Sequence, residues 1–397
     1  MPLTFSWTDF PERYDDDSKL SEISWAGDFA DLIHRFSDGE KKHSDVPHIF
    51  IMSDNYPALK LMAQNALKVD IIYIDPPYNT GKSFSYNDDF ADGKDRHSAW
   101  LSFMSRRLNI AKKLMKETSC IFIAIDQSEL YVLKLLCDKI FGEENFVNDF
   151  MWLHGKGKKD KWSRTLQQHT LCYARDKKNL AEFRQIEKTG WATKNEDDDQ
   201  RGNWFSGSIS FSEKRSNPNH KNYFTIKSPS GKLWTRQWQV SKEKMEKLIA
   251  DNRIYWGHQS EYSSVPRIKI FNDDKQEVIP KNIIDCVEST RSAQNNLDKL
   301  IGIKCSFDNP KPVDLIEHLI KITSMPTDAL ILDFFAGSGT TFEAVCRLNK
   351  EDGGKRKCIL IQKDENEISE ICKKRCDKVS QLYDEEITQL QHIPKIK

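Results

Sequence analysis

Short, largely apolar runs recur towards both ends of the chain and alternate with stretches that have helical spacing. The runs predict four buried strands, at 69–75, 120–125, 329–332 and 357–362. Apolar residues three or four positions apart predict amphipathic helices at 97–117, 129–141 and 313–322, one from about 340, and one at 365–391. Strands without polar alternation are typical of a parallel sheet that is covered on both faces. Their alternation with helices predicts an α/β fold with a mostly parallel sheet.

The middle third of the chain has a different pattern, with short strand-like runs separated by turns rich in Gly, Pro and Asn. This change predicts a separate domain inserted into the α/β fold. We therefore expect four regions: an acidic N-terminal arm at 1–47, two halves of the α/β domain at 48–180 and 301–397, and the insert at 181–300. In open parallel sheets, ligands bind at the carboxyl ends of the strands.

Charge is unevenly placed along the 397 residues, although 60 basic and 60 acidic side chains give a formal net charge of zero. Residues 1–47 hold eleven acids and five bases, whereas residues 151–247 hold 21 bases and eleven acids, a net charge of +10. Seven of the ten Trp residues lie between Trp152 and Trp256, among those bases. Bases interleaved with aromatic residues favour a surface that pairs with phosphates and stacks on nucleobases. A solvated basic face over a Trp-containing core is an equally good interpretation.

The sequence gives no sign of a membrane or secreted protein. No apolar run approaches the ~18 residues that a membrane span needs, and the acidic N-terminus shows no signal peptide. Cys372 and Cys376 lie one helical turn apart, but no His or second Cys pair completes a set of metal ligands. These features predict a cytoplasmic protein with reduced thiols, no membrane contact and no metal site.

The first chemical motif, Asp75-Pro76-Pro77-Tyr78, directly ends a predicted strand. Methylation of a nucleobase amine needs two hydrogen-bond acceptors, because the nitrogen lone pair is delocalised into the ring. The Asp75 carboxylate and the Pro76 carbonyl can each accept one N–H, and the two prolines hold these acceptors rigidly. Tyr78 can stack on a base swung out of the duplex. The alternative is a structural Pro-Pro turn followed by a chance tyrosine.

The second motif, at 333–341, reads Asp-Phe-Phe-Ala-Gly-Ser-Gly-Thr-Thr and also follows a predicted strand. Glycines at a strand-to-helix turn let the backbone approach a ligand, and the helix start favours the anionic end of that ligand. A dinucleotide-binding motif would have Gly where this chain has Phe342, and no Gly-Lys-Ser/Thr of a phosphate-binding loop follows. The motif favours a carboxylate-bearing ligand such as S-adenosylmethionine, with a close-packed structural turn as the alternative.

Together, the motifs resemble the amino-methyltransferases of bacterial restriction–modification systems. Their order, with Asp-Pro-Pro-Tyr first, the Gly-rich motif last and a variable region between, is that of the beta class. The resemblance is closest to the modification subunits of type III systems and covers the chain from about residue 47 to its end. The matching stretches are 74–81, 86–90, 100–104, 121–126, 141–146, 309–312, 332–341, 349–354 and 358–362.

The resemblance implies a Rossmann-like S-adenosylmethionine-dependent methyltransferase fold with an inserted target-recognition domain. It makes 48–180 the catalytic half, 301–397 the cofactor-binding half and 181–300 the target-recognition insert. The implied catalytic loop is Asp75, Pro76, Pro77 and Tyr78. The implied cofactor-binding residues are Lys311, Pro312, Asp333, Phe335, Gly337, Gly339, Thr340 and Gln362. Gln362 falls where many relatives have an acid for the ribose hydroxyls, a role also open to Asp364 or Glu365.

The residues expected to contact DNA are bases of the central region. They are Lys156, Lys158, Lys159, Lys161, Arg164, Lys214, Arg215, Lys221 and Arg236. The sequence leaves open which of them read bases and which hold phosphates.

The resulting prediction is a site-specific DNA methyltransferase that transfers the methyl group of S-adenosylmethionine to adenine N6 in a short recognition sequence, by base flipping. Cytosine N4 methylation is the alternative within the class, and a non-catalytic DNA-recognition subunit is the alternative outside it. The expected partners are double-stranded DNA, a second copy of the chain in a homodimer and, by the resemblance, a restriction subunit with helicase and nuclease activity.

Overall fold

The computed structural model describes residues 5–26, 29–37, 45–82, 88–90, 95–154, 161–188, 192–257 and 264–394. The chain divides into two compact units. The larger unit consists of residues 1–183 and 280–397, and the smaller unit consists of residues 184–279. Within the described ranges, no helix is long and apolar enough to cross a membrane.

Seventeen strands are found within the described residues. They are β1 (Ile23–Ala26), β2 (His48–Met52), β3 (Val69–Ile74), β4 (Met115–Ile125), β5 (Phe146–Leu153), β6 (Gln167–Ala174), β7 (Gln185–Lys188), β8 (Trp204–Ser208), β9 (Tyr223–Lys227), β10 (Leu233–Gln237), β11 (Ile254–Tyr255), β12 (Arg267–Phe271), β13 (Lys275–Val278), β14 (Ile283–Ile284), β15 (Leu330–Asp333), β16 (Lys357–Gln362) and β17 (Ile387–Pro394).

Nine α-helices are found within the same residues. They are α1 (Phe29–Ser37), α2 (Asn55–Gln64), α3 (Arg96–Leu114), α4 (Leu130–Phe141), α5 (Lys242–Ala250), α6 (Thr290–Ile301), α7 (Val313–Ile322), α8 (Thr340–Asp352) and α9 (Ile368–Tyr383).

The larger unit is built on one ten-stranded sheet, in the order β1-β17-β2-β16-β15-β3-β4-β6-β5-β14. Eight of these strands point the same way, and only β1 and β6 run against them. Successive residues of a strand point to opposite faces of its sheet. Accordingly, Ile72 and Ile74 belong to a core with α1–α4, whereas Ile71 and Tyr73 belong to a core with α7–α9. Because both faces are covered, all six residues of β3 are buried, and the predicted α/β fold is confirmed.

The smaller unit contains a three-stranded sheet, β11-β12-β8, and two separate two-stranded ribbons, β9–β10 and β7–β13. Its apolar core includes Ile226, Trp238 and Met245 of α5. The buried Lys269 side chain pairs with Asp197 and, at 3.3 Å, with Asp199. The acidic run at 196–199 therefore neutralises a base inside this unit.

The C-terminal boundary of the insert differs from our expectation. The smaller unit ends at residue 279, whereas the insert was predicted to extend to residue 300. Ile283 and Ile284 pair in parallel with Met151 and Trp152, at the edge of the ten-stranded sheet. This pairing places the segment after residue 279 in the larger unit.

The N-terminal segment packs on α3 instead of forming a separate solvated arm. Arg106 pairs with Asp9 at 2.8 Å and with Asp15 at 2.7 Å, and Arg107 pairs with Glu12 at 2.8 Å. The hydrogen bond from Arg106 lowers the pKa of Asp15. The acids at the start of the chain thus balance bases of the same unit, which the charge pattern alone did not reveal.

The last predicted helix, 365–391, is correct only for its first part. α9 ends at Tyr383, where Asp384 adopts a left-handed backbone conformation with φ of 56°. The following segment is β17, which pairs in parallel with β2 and antiparallel with β1. Ile387 and Leu390 are three positions apart, so their spacing fits a helix equally well, and the pairing across the sheet decides the structure.

Candidate active site

The candidate site lies where the connections from two neighbouring strands leave in opposite directions. β15 and β3 pair in parallel, with Ile331 opposite Ile71. The chain runs from β15 through α8 to β16 on one side, and from β3 through α3 to β4 on the other. Such a point opens a crevice at the carboxyl ends of the strands. Asp75, directly after β3, and Asp333, at the end of β15, both line a cavity of about 290 Å³ there.

The Asp75 carboxylate has a partner on each oxygen. Tyr78 donates its hydroxyl to Oδ1 at 2.6 Å, and Lys311 donates its ammonium to Oδ2 at 2.6 Å. The Lys311 Nζ also lies 5.2 Å from the centre of the Tyr78 ring. The Asp75 side chain is 26% exposed, so a ligand in the cavity can reach it. The predicted loop therefore presents a charged acceptor, a cation and an aromatic ring at one point.

Hydrogen bonds from the surrounding structure hold the loop that carries Asp75 in place. Trp100, buried in α3, donates its Nε1–H to the Pro77 carbonyl at 2.7 Å. Asn79, which is buried with φ of 57°, donates its backbone N–H to Asp88 at 2.8 Å and its amide to Glu129 at 2.5 Å. Burial raises the pKa of the Glu129 carboxyl. These bonds fix the backbone at the second proline and directly after it.

Asp333 lies at the other strand end in a dry environment. It is 2% exposed and accepts the Phe335 N–H at 3.1 Å and the Thr341 hydroxyl at 2.5 Å. Burial, with a smaller contribution from the Asp75 charge, raises the pKa of Asp333 to about 7, although those two hydrogen bonds lower it. Asp333 therefore ties the start of the Gly-rich loop to the first turn of α8.

The Gly-rich loop needs its two glycines for both conformation and space. Gly337 and Gly339 have φ of 53° and 80°. A Cβ on Gly337 would lie 3.0 Å from the Phe307 ring, and a Cβ on Gly339 would lie 3.0 Å from the Cys372 Sγ. The Gly337 N–H donates to the Gln362 side chain at 2.8 Å. The backbone of this loop can therefore approach a ligand closely, as the sequence predicted.

The Gln362 side chain is held by hydrogen bonds to backbone groups and is not free to bind a ligand. Its Oε1 accepts the Gly337 N–H at 2.8 Å and its Nε2 donates to the Lys363 carbonyl at 3.1 Å. Glu365 lines the same cavity, whereas Asp364 accepts the Ser369 hydroxyl. Of the two acids considered for the ribose hydroxyls, Glu365 is the one at the cavity wall.

A buried ion pair behind the loop was missed by sequence reasoning. Arg375 of α9 donates to Glu343 at 2.9 Å and, through Nη1, to the hydroxyls of Ser338 at 3.0 Å and Thr340 at 2.8 Å. Arg375 lies on the same apolar stripe as Ile371 and Cys372 in the sequence. A charged residue at an apolar helix position was the available signal.

Arg107 and Asn55 form a second unpredicted support. The Arg107 guanidinium donates to the Asn55 side chain at 2.6 Å, and its centre lies 3.5 Å from the centre of the Phe103 ring. Asn55 in turn donates to the Phe334 carbonyl at 2.7 Å. Nothing in the sequence connects these residues, because the bonds join α2, α3 and the turn after β15.

Most of the predicted site residues line this one cavity. Those that do are Asp75, Pro77, Lys311, Asp333, Phe335, Gly337, Thr340 and Gln362. Pro76, Tyr78, Pro312 and Gly339 lie in the same loops or at the start of α7 without lining it. Aromatic side chains that were not predicted complete the walls: Tyr73, Phe90, Phe103 and Phe307.

The lining fits S-adenosylmethionine. The cofactor joins an apolar adenine, a ribose, a sulfonium, an ammonium and a carboxylate, and the cavity offers aromatic walls, several acids and the Lys311 ammonium. The Tyr73 hydroxyl at the cavity is buried and has no hydrogen-bond partner among the described residues. A buried polar atom of this kind calls for a partner that a bound ligand can supply.

The bases predicted to contact DNA are spread over both units. Lys156, Lys158 and Lys159 lie outside the described residues. Lys161 and Arg164 are exposed in the larger unit, where the Lys161 Nζ lies 4.8 Å from the exposed Trp162 ring. Lys214, Arg215 and Lys221 are exposed in the smaller unit. Arg236 is largely buried in that unit and pairs with Glu213 at 2.9 Å, which suits a structural contact better than a DNA contact.

Comparisons with known proteins identify the family of the chain. A family model described as DNA methylase matches residues 69–374. The type III restriction-modification enzyme StyLTI Mod subunit of Salmonella typhimurium is 33% identical over 384 residues, covering 86% of this chain and 58% of that protein. The type II methyltransferase M.KpnI of Klebsiella pneumoniae is 32% identical over 341 residues, covering 78% of this chain and 79% of that protein.

The chain is shorter than several of these relatives. It spans 58–63% of the length of the StyLTI, EcoPI and EcoP15I Mod subunits. Among solved structures, the cytosine-N4-specific PvuII DNA methyltransferase has a TM-score of 0.43 at 12% identity, covering 88% of this chain and 99% of that one. The family model covers well over half of the chain. The chain therefore belongs to the DNA methylase family.

Proposed function

We propose that the protein is an S-adenosylmethionine-dependent DNA methyltransferase that acts on adenine N6 within a specific short sequence. One observation carries the proposal: Asp75 of the Asp-Pro-Pro-Tyr loop and Asp333 of the Gly-rich loop line the same cavity, at the ends of two paired strands. The similarity to type III Mod subunits and to M.KpnI supports the activity on DNA.

The residues of the Gly-rich side would hold the cofactor. Gly337 lets the backbone approach it, Lys311 attracts its carboxylate, and Glu365 is placed at the cavity wall for the ribose hydroxyls. The aromatic side chains Phe103 and Phe307 offer the flat apolar surfaces that an adenine ring requires. When bound, the cofactor supplies an electrophilic methyl group on a sulfonium that leaves as a neutral thioether.

The Asp-Pro-Pro-Tyr loop would prepare the amine. The Asp75 carboxylate and the Pro76 carbonyl each accept one N–H, which localises the nitrogen lone pair, and Asp75 is placed to take the proton that the methylated amine loses. Both Asp75 oxygens already have partners, Tyr78 and Lys311. Each carboxylate oxygen can accept a second hydrogen bond, so the amine can bind beside these partners. The Tyr78 ring would stack on the flipped base.

The test of this proposal is the Asp75→Ala variant of the full chain. We expect it to lose transfer of a tritiated methyl group to DNA while its affinity for S-adenosylmethionine, measured by calorimetry, changes less than tenfold. Asp328→Ala, at an exposed aspartate in the turn before β15, is the matched control and should keep full activity. Normal turnover by the Asp75→Ala protein would rule out the mechanism.

The base that is modified needs its own measurement. The acceptor pair described above serves the N4 amine of cytosine as well as the N6 amine of adenine. Digestion of the methylated DNA to nucleosides, followed by mass spectrometry, distinguishes N6-methyladenine from N4-methylcytosine. If the product is N4-methylcytosine, the proposed chemistry stands, but adenine is not the substrate.

We also propose that the protein acts as a homodimer on double-stranded DNA and that it associates with a restriction subunit. The similarity to proteins named as Mod subunits of type III restriction-modification enzymes supports the association with a second subunit. Light scattering of the purified protein at several concentrations tests the dimer. Co-purification with a restriction subunit encoded beside it tests the second partner, and a monomer that elutes alone would contradict both.

A further inference from the structure

The smaller unit displays a two-stranded ribbon made of β9 and β10, which we call the 223–237 ribbon. The two strands form a sheet of their own. Their antiparallel register places Thr225 opposite Thr235, and Lys227 opposite Leu233. Ser228 donates its N–H to the Lys232 carbonyl at 2.9 Å, which closes the connecting turn. The ribbon is therefore a well-ordered hairpin at the surface of this unit.

The two faces of the ribbon differ sharply. Ile226 and its partner Trp234 point inward and belong to the core of the smaller unit, together with Phe224 and the buried Trp238. Trp238 donates its Nε1–H to the Phe224 carbonyl at 2.8 Å, which anchors the ribbon to that core. The packed face therefore fixes the position of the opposite face.

The outward face combines hydrogen-bonding groups with an apolar side chain. The hydroxyls of Thr225 and Thr235 lie 2.7 Å apart, and both residues are exposed. Leu233 is 65% exposed beside them. Hydroxyls can donate to or accept from base edges, and methyl groups contact the thymine methyl. Leu233 is the first residue of β10 and lies at the turn end of this face, opposite Lys227.

The 223–237 ribbon and the β7–β13 ribbon of the same unit differ in net charge. The 223–237 ribbon holds three bases and no acid, and one of these bases, Arg236, is paired with Glu213 of the preceding loop. The β7–β13 ribbon holds two bases and two acids and has no net charge. Both ribbons expose a large apolar side chain, Leu233 at 65% and Ile186 at 64%. Only the 223–237 ribbon therefore pairs that feature with a surplus of positive charge.

We propose that the outward face of the 223–237 ribbon enters the major groove of duplex DNA and reads the recognition sequence. The inference rests on the proposed function in taking DNA as the substrate. The major groove is about 12 Å wide and admits a two-stranded ribbon. Thr225, Thr235 and Leu233 then contact base edges, while Lys227 and the exposed bases of the preceding loop, Lys214 and Lys221, pair with phosphates.

The experiment is selection of bound duplexes from a random-sequence pool by the full-length protein, which needs no methyl transfer. The wild-type protein should enrich one sequence. Leu233→Ala, and Thr225→Val combined with Thr235→Val, should reduce the preference for that sequence over an unrelated duplex by about 10- to 100-fold. Lys227→Ala should weaken binding to both duplexes alike and lower the slope of log affinity against log salt by about one.

Matched substitutions on the neutral ribbon are the controls. Ile186→Ala removes an equally exposed apolar side chain, and Lys275→Ala removes an exposed base, so neither should change the preference or the salt slope. Unchanged preference in both base-reading variants would overturn the proposal, as would an equal effect of Ile186→Ala. Because selection reports binding alone, a failed methyl-transfer assay beside a clear ribbon effect would count against the proposed function only.

Discussion

Two aspartates lie at the carboxyl ends of neighbouring strands yet have opposite environments. Asp75 follows β3, is 26% exposed and has Lys311 at 2.6 Å. Asp333 ends β15, is 2% exposed, and accepts hydrogen bonds from the neutral donors Phe335 N–H and Thr341 hydroxyl. Its pKa is raised to about 7, mainly by burial. Both carboxylates thus line the cavity, but the topology leaves Asp75 partly exposed and uses Asp333 to shape the loop beside it.

The difference teaches that a strand-end carboxylate is a site residue only when its surroundings leave it charged and reachable. A cation beside Asp75 stabilises its negative charge, and partial exposure leaves room for a ligand. Asp333 already accepts one hydrogen bond on each oxygen from the Gly-rich motif, so we expect it to act mainly through the loop that it holds. We therefore expect substitutions at the two positions to change different quantities.

The largest effect is expected for Asp75→Asn. The amide keeps the shape of the side chain but replaces one acceptor oxygen with a donor and removes the charge. We expect kcat to fall by at least about 10³-fold, equivalent to about 4 kcal/mol, with little change in the affinity for S-adenosylmethionine. Single-turnover methyl transfer and calorimetry measure the two quantities. If Asp333→Asn lowers kcat equally at unchanged cofactor affinity, the proposed division of roles is wrong.

The next effect is a change in the pH dependence of stability when Asp333 is replaced. A carboxyl whose folded pKa is about 7 and whose ordinary value is 3.8 stabilises the fold fully below pH 3.8, and that contribution is lost as pH rises through 7. Asp333→Asn cannot ionise. The variant should therefore gain stability relative to the wild type as pH rises from 5 to 7, by on the order of 3 kcal/mol. Urea unfolding between pH 5 and pH 8 measures the trend.

Asp9→Asn is the matched control for that trend. The hydrogen bond from Arg106 lowers the pKa of Asp9, so this carboxyl is ionised in both the folded and unfolded protein above pH 5. Its effect on the free energy of unfolding should be the same at every pH tested. A flat difference for Asp333→Asn as well would show that the Asp333 carboxyl is charged in the folded protein throughout this range.

Replacing Lys311 removes the cation that pairs with Asp75. Asp75 then resembles Asp333, which has only neutral hydrogen-bond donors. Lys311→Met leaves the Asp75 carboxylate without its cation at a partly buried position, so we expect kcat to fall about 10- to 100-fold, or 1.4–2.8 kcal/mol. Lys363→Met is the control, because Lys363 lines the same cavity but pairs with Glu365 at 3.6 Å. Steady-state kinetics at saturating DNA and saturating S-adenosylmethionine compare the two, and equal losses would assign the effect to cavity charge in general.

The sequence predicted Asp75 and Asp333 because each directly follows an apolar run whose length and flanks set the strand end. It could not predict which of them is buried, because that depends on contacts from residues far along the chain. Lys311 is 236 positions from Asp75, and Asn55 is 279 positions from the Phe334 carbonyl that it holds. Local patterns therefore fix the strand ends, whereas tertiary packing fixes the charge and exposure at each.

The smallest effect is expected when the hydrogen bond from Trp100 to the Asp75 loop is removed. Trp100→Phe removes the N–H that donates to the Pro77 carbonyl at 2.7 Å, which costs about 1–2 kcal/mol for a buried acceptor left without its partner. We expect kcat to fall threefold to tenfold, because Asp75 is then held less firmly. Trp238→Phe removes a matching bond at 2.8 Å in the smaller unit and should raise KM for DNA while leaving kcat unchanged. Equal losses of kcat in both variants would mean that general destabilisation, and not the position of Asp75, limits transfer.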